Sequence, residues 1–227
     1  GTQLTDVSLP AGLTHLGDYA FGNISSLTSI NIPKDINSDS NYYTYNSPFS
    51  DSSNLTQISF DEGITVIPDY LFQGLSSLTE VSLPSTVTRI ENSAFSGTGL
   101  TEVVIPAGVT HIGYNAFDVD SLTKVTLPSS LESASSAFAG SPNLKEAVLT
   151  GSWTKIPSGL FSGTGVERLV IPEGVTEIES NAFSGSSLRE VVFPSTLTKI
   201  GSGAFSGTPL TTISLPASVT TIESSAF

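Results

Sequence analysis

The chain has 227 residues, of which 38% are hydrophobic and 13% are charged, and its formal net charge at pH 7 is −13. The sequence is too apolar for a disordered chain, yet it holds no run of about 18 apolar residues, so direct insertion into a membrane is not expected. Its eight Lys and Arg residues are spread over the whole chain. Because nucleic-acid binding requires clustered positive charge, we do not expect a nucleic-acid partner.

Cysteine and methionine are both absent. Without cysteine the chain can form no disulfide, no thiolate metal site and no cysteine nucleophile. The sequence begins at Gly1 rather than at a methionine. We therefore expect residues 1–227 to be a single domain excised from a longer protein.

One sequence unit recurs along the chain, and residues 100–117, LTEVVIPAGVTHIGYNAF, show it clearly. The copies follow one another at intervals of about 22 or 23 residues, which is the spacing of a repeat protein. We predict about ten units. They begin at Leu4, Leu27, Leu55, Leu78, Leu100, Leu122, Leu144, Val166, Leu188 and Leu210.

Each unit predicts one strand, a second short extended segment and a turn. In the fifth unit Val103 and Ile105 are two residues apart, as two side chains on one face of a strand are, and Pro106 ends that strand because it has no N–H. The V-T-x-I segment follows, and the x-x-A-F-x-G segment is too short for a helix, so we predict a 3₁₀ or irregular turn. Glycines in this turn should adopt left-handed backbone angles. They are Gly97, Gly140, Gly163, Gly185 and Gly207.

A single unit cannot bury its own apolar side chains, so neighbouring units must stack into a solenoid. Every unit has a phenylalanine near its end, which predicts a continuous aromatic spine through the core. The spine residues are Phe21, Phe49, Phe72, Phe95, Phe117, Phe138, Phe161, Phe183, Phe205 and Phe227.

The repeat resembles the BspA-like (Treponema pallidum-type) leucine-rich repeats of bacterial surface proteins. The resemblance rests on LTEVSLPSTVTRIENSAFSG (78–97), on residues 100–117 and on VERLVIPEGVTEIESNAFSG (166–185), and it covers nearly the whole chain. It implies a β-rich, right-handed solenoid with a parallel sheet on its concave face. It also implies an extracellular or cell-surface location and binding of host or neighbouring-cell proteins. The chain departs from the pattern at Asp61 and Thr150, which replace the proline.

The second unit carries about five extra residues within 35–47. Three of the six tyrosines lie in this insertion: Tyr42, Tyr43 and Tyr45. Tyrosine gives a large contact area at a low cost in conformational entropy, which suits recognition of a partner. The alternative is that the three rings pack against adjacent turns and only order the loop.

The outward positions of the strands form a second candidate surface. Valines flanked by charged residues recur there in the C-terminal half, as in many protein interfaces. The alternative is that valine simply favours strands and single exposed valines carry no function. The candidate residues are Glu102, Val104, Glu146, Val148, Arg168, Val170, Glu190 and Val192.

The sixth and seventh units differ from the rest. Ala134 stands where the sixth unit should have isoleucine, and Trp153 stands where the seventh should have valine. We expect the indole ring to fill the space that the small neighbour leaves, rather than to stack on a ligand.

The sequence holds no convincing catalytic or cofactor motif. His15 and His111 lie about four units apart, so a Ser–His–Asp triad has no support, and we expect no enzyme activity, no cofactor and no metal. We predict a non-enzymatic, adhesin-like domain whose partner is an extracellular or cell-surface protein. The alternative is a stalk with no ligand of its own. Neither end of the repeat array looks capped, so end-to-end self-association is a further expectation.

Overall fold

The computed structural model describes residues 2–36 and 45–227, and within them it contains fourteen short strands and no helix. All strand pairs are parallel. The strands are β1 (Ser29–Ile32), β2 (Gln57–Phe60), β3 (Val66–Ile67), β4 (Arg89–Ile90), β5 (Glu102–Val104), β6 (His111–Ile112), β7 (Lys124–Pro128), β8 (Glu146–Thr150), β9 (Lys155–Ile156), β10 (Arg168–Val170), β11 (Glu177–Ile178), β12 (Glu190–Val192), β13 (Lys199–Ile200) and β14 (Thr221–Ile222).

The strands form two faces of a solenoid. The first sheet face consists of the ladders β1-β2, β5-β7-β8 and β10-β12, and the second sheet face of β3-β4-β6 and β9-β11-β13-β14. Each ladder joins equivalent residues of consecutive units, as the register of Val103 with Val125 and then Ala147 shows. The parallel-strand solenoid predicted from the repeat is confirmed.

A third side, which we call the turn side, closes each unit. Backbone hydrogen bonds again join equivalent residues there: Phe72 N–H donates to Ala94 O at 2.9 Å, and Gly74 N–H to Ser96 O at 2.8 Å. Within the unit, bonds such as Thr98 N–H to Phe95 O at 3.3 Å form single turns. The described residues therefore have hydrogen-bonded turns here rather than 3₁₀ helices, which matches the irregular-turn alternative.

The solenoid has about seven turns, so the count of ten units was too high. The sequence copies outnumber the structural turns because each sheet face has seven strands among the described residues. On the first sheet face, strands form in the second, third and fifth to ninth copies, whereas the equivalent segments of the first, fourth and tenth copies lie outside the assigned strands. The fourth and tenth copies instead contribute β4 and β14 to the second sheet face.

The phenylalanines form the predicted spine, but in two runs among the described rings. Stacked neighbours lead from Phe21 to Phe138, with centroid distances between 5.2 and 6.3 Å, and again from Phe161 to Phe227, with distances between 5.1 and 5.4 Å. The break falls after the sixth unit, which is one residue short before Phe138. A changed backbone length shifts the ring relative to the next unit, and the prediction of an unbroken spine is wrong at this junction.

Trp153 lies in the seventh unit, beside this junction in sequence. Its side chain is only 1% exposed and belongs to the same core as Ala134. The indole Nε1–H donates to the Thr150 carbonyl at 2.9 Å. The expectation that Trp153 packs in the core is confirmed, and its one polar atom is satisfied, as a buried indole requires.

Left-handed residues shape the turn side. Four of the five expected glycines have positive φ, between 66° and 72°: Gly97, Gly163, Gly185 and Gly207. Gly140 does not, and the prediction is wrong there. The carboxylate of Asp118 lies against Gly140 in the space that a Cβ would take, so a side chain at this position would have to displace that carboxylate. A second left-handed position, two residues before the core phenylalanine, is held by non-glycine residues such as Ser93 and Asn115.

Candidate interaction surfaces

The predicted valine row lies on the first sheet face, and it is discontinuous. Val104, Val170 and Val192 are exposed by 65%, 58% and 43%, whereas Val148 is half-buried. Thr126 stands between Val104 and Val148 in register, and Val170 pairs with Val192 in a separate ladder. The structure therefore brings Val170 and Val192 together as one exposed pair and leaves Val104 as a single exposed valine in another ladder.

The charged residues predicted to flank the valines bind one another across neighbouring units. Lys124 Nζ lies 2.8 Å from Glu146 Oε1, and Arg168 Nε lies 3.1 Å from Glu190 Oε1. Glu102 pairs in register with Lys124. The hydrogen bond and charge of Glu146, with a smaller contribution from Glu102, raise the pKa of Lys124. Such exposed pairs are screened by solvent and contribute little to the stability of a fold.

Ion pairs of this kind neutralise most positive charge in the C-terminal half. On the second sheet face Lys199 Nζ lies 2.9 Å from Glu177 and 3.0 Å from Glu223. A hydrogen bond from Lys199 is the main cause that lowers the pKa of Glu223. Six of the eight Lys and Arg residues take part in ion pairs. They are Arg89, Lys124, Lys145, Lys155, Arg168 and Lys199.

The tyrosine insertion is described only from Tyr45 onward, and Tyr42 and Tyr43 lie outside the described residues. The Tyr45 side chain is 69% exposed, so it does not pack against adjacent turns. Its backbone is nonetheless fixed: the N–H groups of Tyr45 and Asn46 donate to Asp18 Oδ1 at 3.0 and 3.2 Å. Burial opposes ionisation of Asp18, but these bonds, the Asn46 side-chain amide and nearby His15 lower its pKa overall.

Sequence reasoning missed three more tyrosines on the same side of the solenoid. Tyr19 and Tyr114 are 55% and 60% exposed, and Tyr70 is half-buried. Like Tyr45, each lies two to four residues before a core phenylalanine, on the turn side. That shared place in the unit was visible in the sequence and could have found them. We call Tyr19, Tyr45, Tyr70 and Tyr114 the tyrosine edge.

Groups typical of catalysis do not converge within the described parts of the chain. His111 lies in β6, whereas His15 lies in the first unit. Near His15, the carboxylate of Asp18 accepts a hydrogen bond from the Tyr45 backbone N–H. Over residues 2–36 and 45–227, no three His, Cys, Asp or Glu side chains are placed to hold a metal ion. In the same residues, no helix is long and apolar enough to cross a membrane.

The chain is similar in structure to two bacterial leucine-rich repeat proteins. It shares 26% identity with one from Eubacterium ventriosum, at a TM-score of 0.64, over 98% of this chain and 63% of that protein. It also shares 26% identity with one from Bacteroides ovatus, at a TM-score of 0.57, over 92% of this chain and 49% of that protein. The chain thus spans between about half and two thirds of their lengths.

No curated protein matches the sequence. The sequence does match the family described as "BspA type Leucine rich repeat region (6 copies)", over residues 1–120, 44–165 and 154–227. These matches together cover every unit of the solenoid, including the insertion and the irregular sixth and seventh units. The chain belongs to the BspA-type leucine-rich repeat family.

Proposed function

We propose that the chain is a non-enzymatic, adhesin-like domain of a secreted or surface-attached bacterial protein. Its partner is an extracellular protein of a host or of a neighbouring cell. The observation that carries the proposal is the set of exposed valines on the first sheet face, with Val104 in one ladder and Val170 beside Val192 in another. Repeat proteins commonly use such extended surfaces to bind other proteins, and membership of the family supports the same function.

The mechanism is the sum of several modest contacts on a rigid surface. The valines supply apolar area, which favours association when water is displaced. Around them the ion pairs Lys124–Glu146 and Arg168–Glu190 can exchange their internal partners for charged groups of a ligand. Because strand hydrogen bonds already fix the backbone, little conformational entropy is lost on binding.

A second candidate function is a stalk that holds another domain away from the cell. The observation that favours it is the set of ion pairs between successive units, such as Lys155–Glu179 and Lys199–Glu223, which connect the units lengthwise. A stalk needs stiffness and a uniform surface, whereas a binding domain needs one distinctive surface. The uneven distribution of exposed valine and tyrosine supports binding over the stalk.

The discriminating experiment is retention of extracellular-matrix and serum proteins on the immobilised chain. We expect the immobilised chain to retain at least one protein. The double variant Val104→Asp/Val170→Asp should retain much less of that protein. Thr65→Asp/Thr154→Asp is the matched control, because it adds the same two negative charges at exposed residues beside β3 and β9 on the second sheet face. Failure of every protein to bind would favour the stalk, and equal loss in both variants would locate binding elsewhere.

End-to-end self-association is a separate proposal about the same chain. The last unit exposes Ile213, Ile222 and Phe227 by 39–50%, and these side chains belong to positions that are core in internal units. Sedimentation velocity of the 227-residue chain should show association that grows with concentration and weakens in Ile222→Ser/Phe227→Ser. A monomer at every concentration would refute it.

A further inference from the structure

We infer that the tyrosine edge is a docking surface for an extended, Lys- or Arg-rich segment of a protein partner. The inference rests on the proposed protein-binding function and specifies its partner chemistry. It starts from an asymmetry in the chain: all six tyrosines lie between residues 19 and 114, although the repeat continues to residue 227. After the fifth unit, the equivalent positions on the turn side hold small residues, such as Ser158 and Ser180.

Backbone contacts make the tyrosine edge continuous along the solenoid. Tyr19 N–H donates to Ser47 O at 3.3 Å, and the Ser47 hydroxyl donates to Leu71 O, beside Tyr70, at 2.9 Å. Further along, Tyr70 N–H donates to Asn92 O at 2.9 Å, and Tyr114 N–H donates to Asn92 Oδ1 at 2.8 Å. The four tyrosines therefore lie in the first, second, third and fifth units, and Asn92 of the fourth unit links Tyr70 to Tyr114.

Side-chain hydrogen bonds hold the same edge in place. Asp18 accepts from the backbone at Tyr45, and Asp69 accepts from both the backbone and the side-chain amide of Asn92, at 2.9 and 2.8 Å. A surface whose backbone is already ordered loses little entropy when a ligand binds. The exposed rings of Tyr19, Tyr45 and Tyr114 are thus presented by a preformed support.

Charge identifies the kind of partner. Residues 1–114, which include the whole edge, contain eleven Asp and Glu residues against one Lys and one Arg, a net charge of −9 in a chain whose total is −13. In the C-terminal half, by contrast, most positive charges pair with carboxylates of the chain itself. Arg89 lies near Tyr114, but its Nε is 2.8 Å from Glu91 Oε1. Glu91 thus neutralises this positive charge, and the edge keeps its excess of carboxylates.

Exposed tyrosine faces combined with excess carboxylate favour a cationic ligand. Lys and Arg are attracted to the face of an aromatic ring, and the surrounding negative charge accelerates and strengthens their approach. Four unit steps of about 4.8 Å separate Tyr19 from Tyr114, so the edge is roughly 19 Å long. An extended peptide advances about 3.3 Å per residue, so about six residues would cover it. A neutral glycan would use the rings but would gain nothing from the charge.

The test uses the 227-residue chain and a ten-residue peptide of alternating Lys and Ser, with Gln replacing Lys in a control peptide. Binding is measured by calorimetry at low and at moderate salt. The edge variant is Tyr19→Asn/Tyr114→Ser, in which Asn is chosen because Tyr19 has a φ of 58°. It leaves the net charge unchanged. The control variant is Thr65→Asn/Thr154→Ser, at exposed residues beside β3 and β9 on the second sheet face.

We expect the Lys peptide to bind and the Gln peptide not to bind. The edge variant should lose about 5- to 10-fold in affinity with an unchanged melting temperature, since exposed cation–π contacts contribute modestly. The Thr65→Asn/Thr154→Ser control should bind the Lys peptide normally. Equal affinity for the edge variant would mean that net charge alone attracts the peptide, and would overturn the inference. Binding of neutral oligosaccharides would also overturn the inference if the tyrosine substitutions abolished that binding. Retention of an extracellular protein that needs the valines but not the tyrosines would overturn the inference while leaving the proposed function intact.

Discussion

Replacement of Phe117 by alanine tests the packing of the solenoid most directly. The ring is fully buried and lies between two others, with centroids 5.2 Å from Phe95 and 5.5 Å from Phe138 and interplanar angles of 6° and 13°. Removal of a buried phenylalanine ring costs about 3–5 kcal/mol, because apolar transfer energy is lost and a cavity remains. Loss of two stacked ring pairs, each contributing about 0.5–1.5 kcal/mol beyond area, places the expected value in the upper half of that range.

The end of the same stack provides the control. Phe227 is 50% exposed and stacks on one ring only, that of Phe205 at 5.4 Å. Phe227→Ala removes the same atoms from a half-solvated position, so it should cost less than about 2 kcal/mol. Urea unfolding followed by circular dichroism, with Trp153 fluorescence as a second probe, measures both variants. A loss below about 1 kcal/mol for Phe117→Ala, or equal losses for the two variants, would refute the stacking argument.

Three further changes test other parts of the structure. Gly165→Ala would place a methyl carbon in collision with the Pro142 carbonyl oxygen, a backbone atom that cannot easily move, so we expect a large loss of thermal stability. Gly12→Ala, with no atom within 4 Å, should have little effect. Burial, with a neighbouring carboxylate, raises the pKa of Asp118, so its ionisation opposes folding as pH rises through the unfolded-state pKa. Asp118→Asn should therefore stabilise the chain at pH 7 and lose that advantage near pH 3, and a pH-independent difference in melting temperature would contradict this. Fluorescence of Trp153 should resist iodide quenching because the ring is 1% exposed; quenching as strong as that of free tryptophan would contradict the packing.

The irregular units show where sequence reasoning reached its limit. The sequence correctly predicted that Trp153 packs in the core, and its filling of the space beside Ala134 stays a prediction. The same substitutions did not reveal that the aromatic spine divides between Phe138 and Phe161. Ring stacking depends on backbone offsets of a few ångströms between units, and residue types alone do not define such offsets.

The candidate surfaces show a similar limit. Alternation along the strands correctly placed Val104, Val170 and Val192 outward, because side chains of a strand alternate between faces. Sequence could not show that Glu146 pairs with Lys124 and Arg168 with Glu190 across neighbouring units, or that Val148 is half-buried. Those outcomes depend on which side chains meet between units 22 residues apart.

The sequence by itself determined the repeat, its parallel stacking and its apolar core, because a periodic pattern of buried positions has few ways to exclude water other than through stacking. Tertiary structure decided the rest: how many copies enter regular ladders, which charges pair, and which tyrosines form one edge. These properties depend on distances between neighbouring units, which arise only when the solenoid is assembled.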